Sequence, residues 1–285
     1  MLTSRTLLNL ALALALAGLI ALAVIEPGKQ PTPTASRLTS LAPEAIQQIR
    51  LHAPGQADID LQRVAGQWQM RSPYAAPANQ QRIDQLLQLP MAKSQARYPF
   101  TEIDADQLQL ASPALTIRFD DTRFELGGTA PLDGSRYVRI GDTVHLFTDR
   151  YSHLTRGPAT DFISPALLDA ADTITALTLP ALRLILRDGH WLAEGPAATP
   201  TPNPDHLQQL LAEWRQARAT AVQVLAVDAL GTDSITVTTA RATLEFRLRQ
   251  TDEELILQRQ DLGLQYHFPR AAGQRLLSLP SPADA

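Results

Sequence analysis

The chain has 285 residues, 45% hydrophobic and 19% charged, with a formal net charge of -4. That balance excludes wholesale disorder, and with no basic patch standing out it argues against a nucleic-acid partner. Cysteine is absent, which excludes disulfides, thiolate metal sites, cysteine nucleophiles and a lipidated cysteine.

Leu7 to Ile25 is an uncharged run rich in Leu and Ala, interrupted only by Asn9 and Gly18. As a helix it would rise roughly 28 Å, matching a bilayer core of about 30 Å. Ala21-Leu22-Ala23 offers a signal-peptidase-like site, but the run is longer than the usual h-region of about 7–15 residues, so an uncleaved anchor is the favoured reading. Arg5 ahead of the run keeps the N-terminus cytoplasmic and sends the remainder across the membrane. The expected location is therefore the inner membrane, single-pass, with a periplasmic body. Residues 26–37 carry three prolines and no apolar periodicity, the mark of a stiff, extended linker.

The body repeats itself. Gly66-Gln67-Trp68 recurs as Gly189-His190-Trp191, 123 positions on. Asn79 with Ile83, Leu86 and Leu87 recurs as Asn203 with Leu207, Leu210 and Leu211, at 124. Leu115-Thr116-Ile117 and Phe124-Glu125-Leu126 recur at 120 as Ile235-Thr236-Val237 and Leu244-Glu245-Phe246. Two repeats follow, 38–164 and 172–285, joined by a connector at 165–171.

Each repeat opens on strands of period two: Ile59/Leu61 in the first, Leu182/Leu184/Leu186 in the second, where Asp188-Gly189 signals a hairpin. A helix follows, capped by Asn79 or by Asn203 with Pro204 at its first position. Further strands are expected at Leu115/Ile117/Phe119, Phe124/Leu126, Val138/Ile140 and Val144/Leu146, with Gly141-Asp142 as a turn. The second repeat echoes them with Leu244/Phe246/Leu248, Leu255/Leu257 and Leu264/Tyr266/Phe268. Ser164 to Asp169 reads as a short capped helix. The expected class is α+β: mainly antiparallel sheet, one packed helix per repeat, after a transmembrane helix.

The order Ile49-Arg50-Leu51, Gly-x-Trp, Ser72-Pro73, then an Asn79-started helix with Leu86-Leu87 resembles the bacterial domain of unknown function 4340 family. Leu126-Gly127-Gly128-Thr129 through Ser135-Arg136-Tyr137-Val138 carries the same resemblance. It implies two tandem repeats and an association with ABC transporter subunits of the gliding-motility type, and it brings no catalytic residues. The second repeat lacks the Gly-Gly-Thr segment.

No hydrolase elbow, zinc-protease helix, P-loop or dinucleotide fingerprint is present. The six histidines are scattered, so no metal site and no cofactor is expected. Ser152-His153 reads as a polar loop and Asp120-Asp121 as turn chemistry. Gly127-Gly128-Thr129 reads as a bulge or hairpin excursion, Asp252-Glu253-Glu254 as a hairpin tip. Trp68 and Trp191 read as packing anchors at matched positions. Arg136, Tyr137 and Arg139 remain as contact candidates. The expectation is a non-enzymatic, membrane-anchored accessory or scaffold of an envelope complex; the alternative is an extracytoplasmic module binding lipid, peptide or glycan between the repeats.

Overall fold

The computed structural model describes residues 36–131, 133–198 and 202–280. The proposed anchor and most of the linker lie outside them, and no helix of the described residues is long and apolar enough to cross a membrane.

Two antiparallel sheets organise the body. The first draws on β1 (Ser36–Arg37), β2 (Gln48–His52), β3 (Ile59–Val64), β4 (Gln67–Ser72), β5 (Ala76–Pro77), β6 (Lys93–Pro99), β7 (Leu115–Phe119), β8 (Thr122–Thr129), β9 (Arg136–Ile140) and β10 (Thr143–Phe147). The second draws on β11 (Ile174–Thr178), β12 (Arg183–Arg187), β13 (His190–Glu194), β14 (Ala221–Val224), β15 (Asp233–Thr239), β16 (Thr243–Gln250), β17 (Glu254–Arg259) and β18 (Leu264–Pro269). The helices are α1 (Gln80–Leu86), α2 (Pro204–Gln216) and α3 (Arg270–Leu277).

The sheets run in the same order. From one edge, the first reads β6-β10-β9-β8-β7-β2-β3-β4 and the second β14-β18-β17-β16-β15-β11-β12-β13; β1 and β5 are additions at the two ends of the first. Matching turns close matching hairpins. Ala65-Gly66 and Asp188-Gly189 join β3 to β4 and β12 to β13, all four residues at positive φ. Backbone twist in such two-residue loops suits the strands they join, and Asp or Gly adopts it at least cost.

Asn79 and Asn203 cap α1 and α2 as expected, their side chains accepting from the backbone N–H of Arg82 and Asp205. α1 buries Ile83 and Leu86, while α2 buries Leu207, Leu210, Leu211 and Trp214. One helix per half is a correction to make: α3 also packs on the second sheet. Gly273 lies so close to Leu255 that a Cβ there would collide with that side chain. The indole N–H of Trp214 donates to the Leu276 carbonyl at 2.9 Å, tying α2 to α3.

The stretch Ser164–Asp169 is not a helix. Ile163 bridges Ala78, and the Ser164 N–H donates to Pro77 O at 2.8 Å. Ala166 bridges Arg218, the Leu167 N–H donates to Ala217 O, and the Ala219 N–H donates to Pro165 O. An extended chain can offer its backbone groups to both neighbours, whereas a helix would consume them internally. Residues 162–167 therefore splice the β5 edge of the first sheet to the β14 edge of the second. One contiguous apolar cluster runs from Leu38 to Leu276 through both sheets.

Candidate functional site

The strand that follows the helix lies at the edge of the second sheet and next to the short edge strand β1 in the first, and its successor in sequence lies four places further in. β6 and β7 are separated by β10, β9 and β8; β14 and β15 by β18, β17 and β16. The chain must cross a sheet face to get there, and the inner face is already occupied by the core. Residues 100–114 and 225–232 make these crossings over the outer faces.

On the first sheet the crossing is close, with Leu110 buried against the sheet. Gly128 donates its N–H to Leu108 O at 2.8 Å, and a Cβ on Gly127 would collide with the Leu108 carbonyl and the Leu110 side chain. The β8–β9 register shifts between Leu126 and Thr129, the bulge expected of the Gly-Gly-Thr segment. These glycines let the crossing chain lie on the strand. On the second sheet the glycine sits in the crossing instead: a Cβ on Gly231 would collide with the backbone of Leu248 and Arg249. Gln258 holds this crossing, accepting from the Gly231 N–H at 2.8 Å and donating to Ala229 O at 3.0 Å. Beside it the His267 ring meets Glu254 at 2.9 Å through Nδ1 and the Gln265 amide at 3.1 Å through Nε2. The buried polar groups of this crossing are thus partnered, as their desolvation requires.

Arg136, Tyr137 and Arg139 share β9 but not a face. Val138 points into the core, which puts Arg136 on the core side and Tyr137 and Arg139 outside. Arg136 is held by Asp149 at 3.0 Å, and Asp149 also accepts from the backbone N–H groups of Tyr151 and Ser152. The Ser152 hydroxyl donates to the same carboxylate. Arg139 stacks 3.6 Å over the Phe100 ring and pairs with Glu125 at 3.4 Å. The structure gives Arg136 and Arg139 structural partners and does not gather the three residues into one surface.

Trp68 is buried, packed beneath α1, with the Arg63 guanidinium 5.0 Å from its ring. Trp191 sits at the same place on β13 but is only half-buried, because no equivalent of the β5 edge covers it among the described residues. Val144 and Leu146 face outward, and β10 turns His145 and Phe147 inward. His145 is buried and bonded to Ser94 Oγ at 3.0 Å; burial, then the Arg97 charge, lower its pKa to about 4. The Ser94 hydroxyl donates onward to Ala96 O at 3.0 Å, so it accepts from an Nδ1–H tautomer. Asp120 does turn work, accepting from the N–H groups of Gln47 and Gln48. No group of three or more His, Cys, Asp or Glu among the described residues is placed to hold a metal ion.

The outer face of the first sheet also carries a shallow cleft of about 460 Å³ over β2, β3, β7 and β8. Arg50, Arg118 and Arg123 stand along it as cross-strand partners. Sequence reading missed this row because its members are 68 and 5 positions apart, and only the register brings them together.

Fold and surface together define an α+β protein of two like-ordered antiparallel sheets, joined edge to edge and crossed on their outer faces. The chain belongs to the family described as Domain of unknown function (DUF4340), whose model matches residues 68–244. That match begins in β4 and ends in β16, so it spans the junction between the sheets. No curated protein and no solved structure matches the chain.

Proposed function

We propose that this protein is a non-enzymatic, membrane-anchored accessory or scaffold of an envelope complex, its two sheets being two copies of one unit held in the periplasm by the residue 7–25 helix. The observation that carries the reading is the splice at 162–167. A module holding lipid, peptide or glycan between its halves needs an open junction. Here the junction is filled by a segment whose backbone groups bond to the β5 edge on one side and to the chain leading into β14 on the other, with Phe162, Ile163, Leu167 and Leu168 buried. A rigid two-unit body suits a part that spaces or docks other subunits.

The partners implied by the family resemblance are the permease and ATPase subunits of an ABC transporter. The test is to express the full chain with those subunits, extract the membrane fraction in mild detergent and purify through a tag on this chain. Stoichiometric recovery of permease and ATPase, with the chain resisting a carbonate wash, is the expected result. Recovery of the chain alone from the soluble fraction, with an N-terminus just after Ala23, contradicts both anchor and partnership.

A further inference from the structure

The arginine row on the first sheet has no counterpart on the second. Arg50 lies opposite Arg118, and Arg118 opposite Arg123, so three like charges occupy one line across β2, β7 and β8. Like charges directly opposed across strands are destabilising. The equivalent line on β11, β15 and β16 is Ala176, Thr238 and Thr243, again the second pair from the hairpin turn. The same strand order therefore forms without charge at these places, and folding does not require the arginines.

Neighbouring carboxylates, Asp58 and Asp60 of the cleft lining among them, balance the row only in part. Asp60 meets Arg50 at 3.6 Å and the Gln48 amide at 2.9 Å, and Asp58 is taken by His52 at 2.6 Å. Glu125 is shared between Arg123 at 2.9 Å and Arg139 at 3.4 Å. Among the described residues no carboxylate pairs with Arg118, the exposed middle member. This local positive excess stands on a chain of net charge -4.

We propose that the cleft is an anion site in which Arg50, Arg118 and Arg123 take a phosphate-type group. A carboxylate has two oxygens in one plane and saturates a single guanidinium fork, whereas a tetrahedral phosphate directs oxygens towards several donors at once. The hydroxyls of Ser72 and Thr116 line the same cleft and add neutral donors. The phosphate is supplied either by a soluble phosphate compound or by the headgroup of an anionic lipid.

The full chain, purified in neutral maltoside detergent, is titrated calorimetrically with pyrophosphate, with short-chain dihexanoyl phosphatidic acid and with succinate. Saturable binding of pyrophosphate or of the lipid is expected, with succinate weaker. Binding of the lipid alone assigns the source to a headgroup; binding of pyrophosphate assigns it to a soluble phosphate. Arg118→Thr and Arg123→Thr, which copy the residues of the second sheet, weaken binding at least about tenfold without lowering the melting temperature. Arg270→Gln, at the start of α3 beside the second sheet, leaves binding unchanged. Absence of saturable binding by both phosphates overturns the site, as does wild-type affinity in both threonine variants or equal affinity for succinate.

Discussion

Leu38 and Leu167 hold the same place in the two sheets. Each donates its backbone N–H to an alanine carbonyl ahead of the corresponding strand, Leu38 to Ala92 before β6 at 2.8 Å and Leu167 to Ala217 before β14 at 3.2 Å. Both side chains are 5% exposed. Chain entering the first sheet from the linker and chain entering the second from the splice are thus used alike. Leu167→Ala is expected to cost about 2–5 kcal/mol, the range for emptying a buried leucine site, and Leu38→Ala a similar amount. Urea midpoints of the two variants check this; a shift within error of zero for Leu167→Ala would mean the splice is loosely seated.

The tryptophans separate by burial. Trp68→Ala and Trp214→Ala each remove a fully buried ring and should cost about 3–5 kcal/mol, whereas half-buried Trp191→Ala should cost less than about 2 kcal/mol. Trp214→Ala also leaves the Leu276 carbonyl without its donor. Acrylamide quenching of single-tryptophan variants provides an independent check, with Trp191 the most accessible of the three.

Much of this architecture is written in local pattern. The Trp191 hairpin, the Asn caps and the strands at Leu115–Phe119 and Leu264–Phe268 are expected from period and turn chemistry, and they are present. Lys93–Pro99 carries no apolar alternation, since only Ser94 of its strand residues is buried, so that strand was invisible. Ser164-Pro165 imitates a helix start, but the partners that hold it extended are distant in sequence. The strand expected at Val144/Leu146 is present, but Val144 is buried on the outer face, so apolar alternation on β10 does not mark the core side. The arginine row depends on register alone, which no periodicity reports.

The close crossing at Gly127 predicts asymmetric tolerance of neighbouring glycines. Gly127→Ala meets a backbone carbonyl that cannot move aside and should cost about 1–3 kcal/mol. Gly128→Ala meets only the flexible Gln109 side chain, at 3.3 Å, and should cost less. Thermal melts of the pair give the comparison; equal shifts would remove the crossing as the reason for these glycines.

His145 makes stability depend on pH. Its pKa is about 4 in the fold and about 6.5 in an unfolded chain. Above about 6.5 both states are neutral there and the contribution is whole. As pH falls from 6.5 towards 4, the unfolded chain binds a proton that the fold refuses, so stability is lost, by at most about 3 kcal/mol. His145→Gln should flatten that part of the profile. The urea midpoint of wild type minus that of the variant, followed from pH 7.5 to 4.5, isolates the effect from the carboxylates.

Hydrogen exchange tests the central claim, that residues 162–167 weld two sheet units into one body. The amides of Ser164 and Leu167 in the splice, and of Ala219 bonding to it, donate to Pro77, Ala217 and Pro165. If the weld is real, they exchange only through global unfolding, with opening free energies equal to those of Ile117 and Val237 in the sheet centres and with a denaturant dependence to match. Exchange of these three amides by local opening, orders of magnitude faster than the sheet centres, would make the units independent beads on a flexible joint and contradict the account.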